Sequence, residues 1–414
     1  MNHSSLLRAH SASAKPGEES GSASSERRLS VNIKTILILT GSIGSGHLSV
    51  AKAIKEAIHR VNGTNVRVEV VDLLTAFENF VTSATKKIYL NSLKLSPKIY
   101  QLLFSQSDEN EWPLKVLNAI TAPFMQKQFL AMLKEKQPSV LVSTYPVWDI
   151  LVKKVWEKYT LRRALGDKKL PFVSVITDAM HVHASWIYGE PDYFIVANPD
   201  TATALEHFDI HPSRIKTFGY PIANRFIKHT SCANFQREMD LSPRRKTLLL
   251  ILSTGISWSK VKQVAKTIRG SSLKNLQLVI VACGDAKWVK KLEKMRWPWP
   301  TRVTGWTNYM HEFIHGSDII LTKAGGATVM ECIVSQKPMM IIDAIPGHEI
   351  GNAMLVQKYN LGVVLNRNLS DFDHAVEYIF SHEALIKKNL ISQKRPNAAK
   401  ETAEFLLKLA HAAH

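Results

Sequence analysis

The stretch Thr35-Ile36-Leu37-Ile38-Leu39-Thr40-Gly41-Ser42-Ile43-Gly44-Ser45-Gly46-His47 runs from an apolar strand into a glycine-rich turn, and Leu48 to Val61 then carries helical spacing. Three glycines let the backbone turn sharply and approach a ligand closely. The unpaired amides and positive dipole end of a helix start suit an anion or a developing negative charge. The same field disfavours imidazolium, so His47 is expected to be neutral near pH 7 and able to accept a proton. The bland alternative is a helix start with an incidental histidine.

Two better-known glycine loops do not fit. The Gly41 to Gly46 spacing opens like a P-loop, but His47 and Leu48 stand where its lysine and Ser/Thr belong, so the phosphate and magnesium contacts are lost. The dinucleotide pattern lacks its third glycine, because Gly44-Ser45-Gly46 is followed by His47-Leu48-Ser49.

Outward from this stretch, short apolar strands recur between helical segments: Thr35 to Leu39, Val66 to Val71, Val140 to Ser143, Phe172 to Thr177 and Tyr193 to Ala197. After a polar stretch around Lys228 to Arg245 the alternation restarts with Thr247 to Leu252, Leu278 to Ala282, Ile319 to Thr322 and Met339 to Ile342. Such alternation implies α/β architecture, with a parallel sheet wrapped by helices in each half. At 414 residues the chain exceeds a usual single core, in keeping with two domains. In the first helix Ala51, Ile54, Ile58 and Val61 are expected on one sheet-facing side. The glycine turn and His47 then lie beyond the carboxyl ends of the strands, where open α/β sheets bind ligands.

Lys+Arg 53 against Asp+Glu 35 gives a net charge of +18. That excess favours a polyanionic partner: an anionic membrane surface, phosphorylated substrates or nucleic acid. Without an RNA-binding signature or zinc-finger spacing, and with basic residues dispersed, nucleic acid is not expected. Cys232, Cys283 and Cys332 are widely spaced, which argues against a disulfide framework and for a reducing compartment. Residues 1–30 are rich in Ser, Ala and charge, lack an apolar core segment, and read as a disordered tail rather than a secretion signal. No apolar run approaches the ~20 residues that span a bilayer, so any membrane association is peripheral, at a cytoplasmic face.

Residues 84–136 interrupt the alternation with basic and aromatic helical text, including Lys86, Lys87, Tyr89, Lys94, Tyr100, Phe104 and Trp112. Lysines beside aromatic and leucine residues suit an interfacial element attracted to anionic lipid, at roughly 1 kcal/mol per basic residue. An ordinary amphipathic helix with a solvated lysine face fits equally well.

In the second half, Thr322-Lys323-Ala324-Gly325-Gly326-Ala327-Thr328-Val329-Met330-Glu331 closes a strand and opens a helix. The amides at Gly325, Gly326 and Ala327 could hold a diphosphate, and Glu331 could accept hydrogen bonds from vicinal hydroxyls such as those of a ribose. After the next strand, Ile345-Pro346-Gly347-His348-Glu349-Ile350-Gly351-Asn352 places a carboxylate at Glu349 and an amide at Asn352, groups suited to sugar hydroxyls.

These three motifs, in this order, resemble the diacylglycerol glycosyltransferases of glycosyltransferase family 28: plant-type monogalactosyldiacylglycerol synthases and bacterial processive glucosyltransferases. The resemblance covers roughly Thr35 to Val364 and includes Lys86 to Phe104, Thr177-Asp178 with His183 and Trp186, Gly219-Tyr220-Pro221-Ile222, and Val303 to His311. It implies two Rossmann-like domains facing across a cleft, a GT-B type glycosyltransferase. The division is a tail over 1–30, an N-terminal lipid-acceptor domain over 31–228 with an insertion over about 84–136, a UDP-sugar domain over 240–385, and a closing helix over 386–414 that packs back on the N-terminal domain.

By the same resemblance His47 is the catalytic histidine, and Asp178 is expected to orient a histidine. Gly44, Gly46, His183 and Trp186 would serve the acceptor side. Gly305, Trp306, Gly325, Gly326, Ala327, Thr328, Glu331, Glu349 and Asn352 would bind the donor. The implied reaction is inverting transfer of a hexose from a UDP-sugar to diacylglycerol, with no tightly bound cofactor and at most a weak Mg2+ dependence. The alternatives are transfer to another lipid-linked acceptor, a UDP-sugar epimerase, or a non-catalytic UDP-sugar-responsive regulator. Two departures stand out. His348 takes a position often filled by glutamine, and Leu252 to Ser257 carries less glycine than relatives usually show.

Overall fold

The computed structural model describes residues 33–41, 46–62, 66–76, 125–159, 170–228, 232–253, 255–283, 286–345 and 349–412. The expected tail over 1–30, Gly44, most of the insertion over 84–136 and His348 lie outside the described residues.

Two six-stranded sheets carry the architecture, and every strand pairing in them is parallel. The first contains β1 (Lys34–Thr40), β2 (Val66–Asp72), β3 (Val140–Ser143), β4 (Phe172–Val175), β5 (Tyr193–Ile195) and β6 (Ile215–Lys216), in the order β2-β1-β3-β4-β5-β6. The second contains β7 (Lys246–Leu252), β8 (Leu276–Ala282), β9 (Thr301–Thr304), β10 (Ile319–Lys323), β11 (Met339–Asp343) and β12 (Gly362–Val364), in the order β12-β11-β10-β7-β8-β9. All the strands expected from sequence are present. The three that were not anticipated, β6, β9 and β12, each occupy a sheet edge.

Helices cover both faces, which is why the central strands read as unbroken apolar runs. Ile36, Leu37, Ile38 and Leu39 of β1 are all fully buried, as are Leu278 to Val281 of β8. The helix Gly46–Asn62 buries Val50, Ala51, Ile54, Ala57 and Ile58. Val61, expected on that face, is 40% exposed instead. Its angle about the helix axis falls inside the buried stripe, between Val50 and Ile54, so its exposure comes from its place in the last turn, one residue from the helix end.

The segment Lys34–His414 forms one compact unit. The closing helix Ala398–Ala412 returns from the second half onto helix Gly46–Asn62, β1 and β3. Its Phe405 meets Tyr193 edge-on at 5.2 Å and Phe218 at 5.7 Å. Where the outgoing and returning chains pass, Gly219 has φ +111, and a Cβ there would lie 2.6 Å from that of Arg395. Both the backbone angle and the space require glycine.

The two lobes also touch directly. Asp200 accepts hydrogen bonds from Lys358 Nζ at 2.7 Å and from the Tyr359 hydroxyl at 2.6 Å, joining helix Pro199–Glu206 to the end of helix Ile350–Lys358. A Cβ on Gly351 would lie 2.0 Å from the carbonyl oxygen of Ala179, so the loop after β4 approaches the second lobe backbone to backbone. No described helix is long and apolar enough to cross a membrane.

Candidate active site

Each sheet has one place where successive connections leave in opposite directions, and such switch points open a crevice at the strands' carboxyl ends. In the first sheet it lies between β1 and β3, because the chain pairs β2 on one side of β1 and then crosses to β3 on the other. The loop after β1 leads to His47; the residue after β3 is Thr144. They meet in the crevice, where His47 Nδ1 lies 2.6 Å from the carbonyl oxygen of Thr144.

A carbonyl only accepts, so this contact fixes the proton on Nδ1 and leaves the lone pair on Nε2. The Thr177 hydroxyl oxygen, 3.2 Å from the same nitrogen, takes a second, longer share. Thr144 is itself held: its buried hydroxyl lies 3.0 Å from that of Thr40, 3.3 Å from the Leu39 carbonyl and 3.2 Å from the His47 carbonyl. Trp148 Nε1 donates to the Thr40 carbonyl at 2.7 Å. The Tyr145 ring stands edge-on to the imidazole at 4.8 Å, and a Cβ on Gly41 would lie 3.1 Å from that ring. His47 keeps some surface access, yet burial among these groups pushes its pKa down to about 4 despite the bond to Thr144, which acts the other way. At neutral pH it is a neutral, oriented base.

The Nδ1 of His47 is held by the Thr144 carbonyl and not by Asp178, which was expected to orient a histidine. Its carboxylate accepts from Trp186 Nε1 at 2.7 Å, and Trp186, 1% exposed, stands 6.4 Å from the His47 ring. Asp178 therefore acts on the histidine's surroundings through the indole. Burial raises its pKa to about 6, with the Trp186 bond and His181 opposing and Glu349 adding to the rise. Trp186 is a wall behind the imidazole. His183 is buried, and its Nδ1 accepts from the Ser185 amide at 3.1 Å as the cap of the short helix Ala184–Trp186.

The second switch point lies between β7 and β10. Lys323, the last residue of β10, is buried and ion-paired with Glu349. The other Glu349 oxygen accepts from the Ile345 amide at 2.9 Å. Gly325 lies over this pair, since a Cβ there would be 3.6 Å from Lys323 Nζ and 3.7 Å from Glu349 Oε1. Asn352 donates to the Ala324 carbonyl at 2.9 Å, while its buried Oδ1 has no partner among the described residues. Thr328 and Glu331 follow on helix Gly326–Val334, both half-buried. Burial raises the Glu331 pKa to about 8, partly offset by the charge of Arg225. Gly305 and Trp306 stand on the loop after β9, where Trp306 is 66% exposed.

The two crevices adjoin. A Cβ on Gly46 would lie 3.7 Å from that of Ala327, and one on Gly326 would lie 2.8 Å from the Thr177 carbonyl oxygen. The starts of helices Gly46–Asn62 and Gly326–Val334 thus share one gap, with a proton acceptor on one side, anion-seeking amides on the other, and hydroxyl-accepting carboxylates nearby. Among the described residues no group of three or more His, Cys, Asp or Glu side chains is placed to hold a metal ion.

Three contributors were given no role from sequence: Thr144, Tyr145 and Lys323. Lys323 left a signal, a lysine closing an apolar strand directly before Ala-Gly-Gly. Thr144 left none, because its contribution to His47 is a backbone carbonyl.

Residues 47–222 match the family model of monogalactosyldiacylglycerol (MGDG) synthase, and residues 258–406 match that of the glycosyltransferase family 28 C-terminal domain. The chain is 27% identical over 375 residues to a processive diacylglycerol beta-glucosyltransferase of Bacillus licheniformis, covering 88% of this chain and 92% of that one. It is 28% identical over 338 residues to a probable chloroplastic monogalactosyldiacylglycerol synthase 3 of Oryza sativa subsp. japonica, covering 80% of this chain and 65% of the other. Among solved structures, the glycotransferase of kitacinnamycin superposes with a TM-score of 0.59 at 12% identity, covering 91% of this chain and 99% of that one, which supports the two-lobed GT-B fold. The two family models follow one another in the order of the two sheets, and the chain belongs to the diacylglycerol glycosyltransferases of glycosyltransferase family 28.

Proposed function

We propose that this chain transfers a hexose from a UDP-sugar to the primary hydroxyl of diacylglycerol, with inversion, and so makes a glycosyldiacylglycerol. The observation that carries the reading is the neutral, oriented His47 facing the helix start at Gly326 across one gap. His47 Nε2 takes the acceptor proton as the hydroxyl oxygen attacks the anomeric carbon. The sugar–phosphate bond breaks on the opposite side. The diphosphate leaves against the amides at Gly325, Gly326 and Ala327 and the dipole of their helix, which stabilise charge where it develops. Lys323, released from Glu349, adds a positive charge to the same place, while Glu349 and Asn352 turn to the sugar and Glu331 to the ribose.

Association with an anionic membrane surface belongs to this proposal and rests on the net charge of +18 and the lipid acceptor. The test uses purified full chain, radiolabelled UDP-glucose or UDP-galactose, and vesicles containing diacylglycerol. Label entering the lipid fraction is expected. Label that moves only between UDP-sugars would make the chain an epimerase, and binding without any movement of label would make it a regulator.

A further inference from the structure

Tyr220 lies on the segment that leaves β6 for the second lobe. It is 5% exposed, and its hydroxyl is buried with no hydrogen-bond partner among the described residues. Folded proteins rarely leave a buried hydroxyl unpaired, so such a group calls for a reason. Its position supplies one. The hydroxyl lies 3.6 Å from where a Cβ on Gly46 would stand, in the first turn of helix Gly46–Asn62, and Ala327, in the first turn of helix Gly326–Val334, lies 3.7 Å from that same point.

A phenol beside the start of helix Gly46–Asn62, with the start of helix Gly326–Val334 close to the same point, donates into a field that attracts anions. The nearest charged groups do not use it: Glu331 and Asp178 both reach it electrostatically, yet neither accepts its proton. Burial and those two carboxylates keep the phenol protonated, hence a donor. What is missing is an anionic oxygen brought in by a ligand.

We propose that the Tyr220 hydroxyl donates a hydrogen bond to the β-phosphate of the bound nucleotide and keeps it as the sugar–phosphate bond breaks. This assignment rests on the UDP-sugar reading of the site and adds a residue from neither glycine loop. No proton is transferred: the phenol keeps its hydrogen, and the bond strengthens as charge gathers on the departing oxygen.

The test compares the full chain with Tyr220→Phe, by melting temperature without ligand and by calorimetric affinity for UDP and for UMP, which lacks the β-phosphate. Without ligand the variant should melt at the same temperature as the parent or higher, because only an orphan hydroxyl is removed. UDP should bind about 10- to 100-fold more weakly, the usual worth of a hydrogen bond to a charged group, with UMP affinity little changed. Turnover should fall by a similar factor while the KM for acceptor stays put. A lower melting temperature without ligand, unchanged UDP affinity, or equal losses for UDP and UMP would each overturn the assignment. Parent protein that ignores UDP would remove the nucleotide site itself; normal UDP binding by both proteins would remove only the role of Tyr220.

Discussion

His47 Nδ1 and the carbonyl oxygen of Thr144 stand 2.6 Å apart across the switch point of the first sheet. A side-chain carboxylate in that position would carry charge and favour imidazolium; a carbonyl orients the ring with much less of that bias. The result is a base whose tautomer is set by the main chain and whose pKa is governed by burial. The crevice thereby supplies a proton acceptor that stays neutral across the physiological range.

Asp178 gives the first check on this arrangement. If it acts only through Trp186, Asp178→Asn should stay close to the parent in turnover, because the amide oxygen can still accept from the indole. Asp178→Ala should cost about 1–3 kcal/mol of stability, the penalty for orphaning a buried donor, and lower turnover as Trp186 loses its anchor. Chemical denaturation and steady-state rates on both variants decide it. A loss of several orders of magnitude in Asp178→Asn would instead return the carboxylate to a direct role on His47.

The pH dependence follows from the depressed histidine. Above pH 6.5 His47 is neutral both folded and unfolded; between about 6.5 and 4 the unfolded chain takes up the proton first, so folding stability should fall as pH drops through that window. For catalysis, the acid limb of kcat/KM due to this base should lie near pH 4 rather than 6.5. The profile is best recorded in Asp178→Asn, which removes the carboxyl titrating near 6. An inflection at 6.5 in that background would contradict the burial of the imidazole.

The Lys323–Glu349 pair predicts a non-additive mutant series. Both side chains are buried, so Lys323→Ala should destabilise the protein by about 3–5 kcal/mol, as removing one partner of a buried pair usually does. Adding Glu349→Gln should restore much of that stability while leaving donor binding weak. Denaturant midpoints for the two single variants and the double variant measure the coupling. Strictly additive losses would show that the two side chains act independently.

Much of this was legible in the sequence for identifiable reasons. Strands buried on both faces, such as Ile36 to Leu39, can be built from little but apolar residues, and they announced both sheets. The edge strands Ile215–Lys216, Thr301–Thr304 and Gly362–Val364 were not visible, because short strands with one neighbour are held by that neighbour's register rather than by their own composition. The glycine turns located both crevices, since loop chemistry at a strand's end survives in sequence. Partners supplied by other loops did not: the Thr144 carbonyl is main chain, and Tyr220 gains its place only when the crossing segment folds against the helix start at Gly46. His183 illustrates the converse, a histidine that its surroundings made into a helix cap.

If His47 is the base, the nucleotide site stands without it. The direct measurement is single-turnover transfer of labelled hexose from UDP-sugar to diacylglycerol by His47→Ala, paired with UDP affinity on the same preparation. The rate should be lower by about 10²- to 10⁴-fold, the usual worth of a positioned general base, with UDP binding nearly intact. Transfer by the variant at the parent rate would contradict His47 as the base.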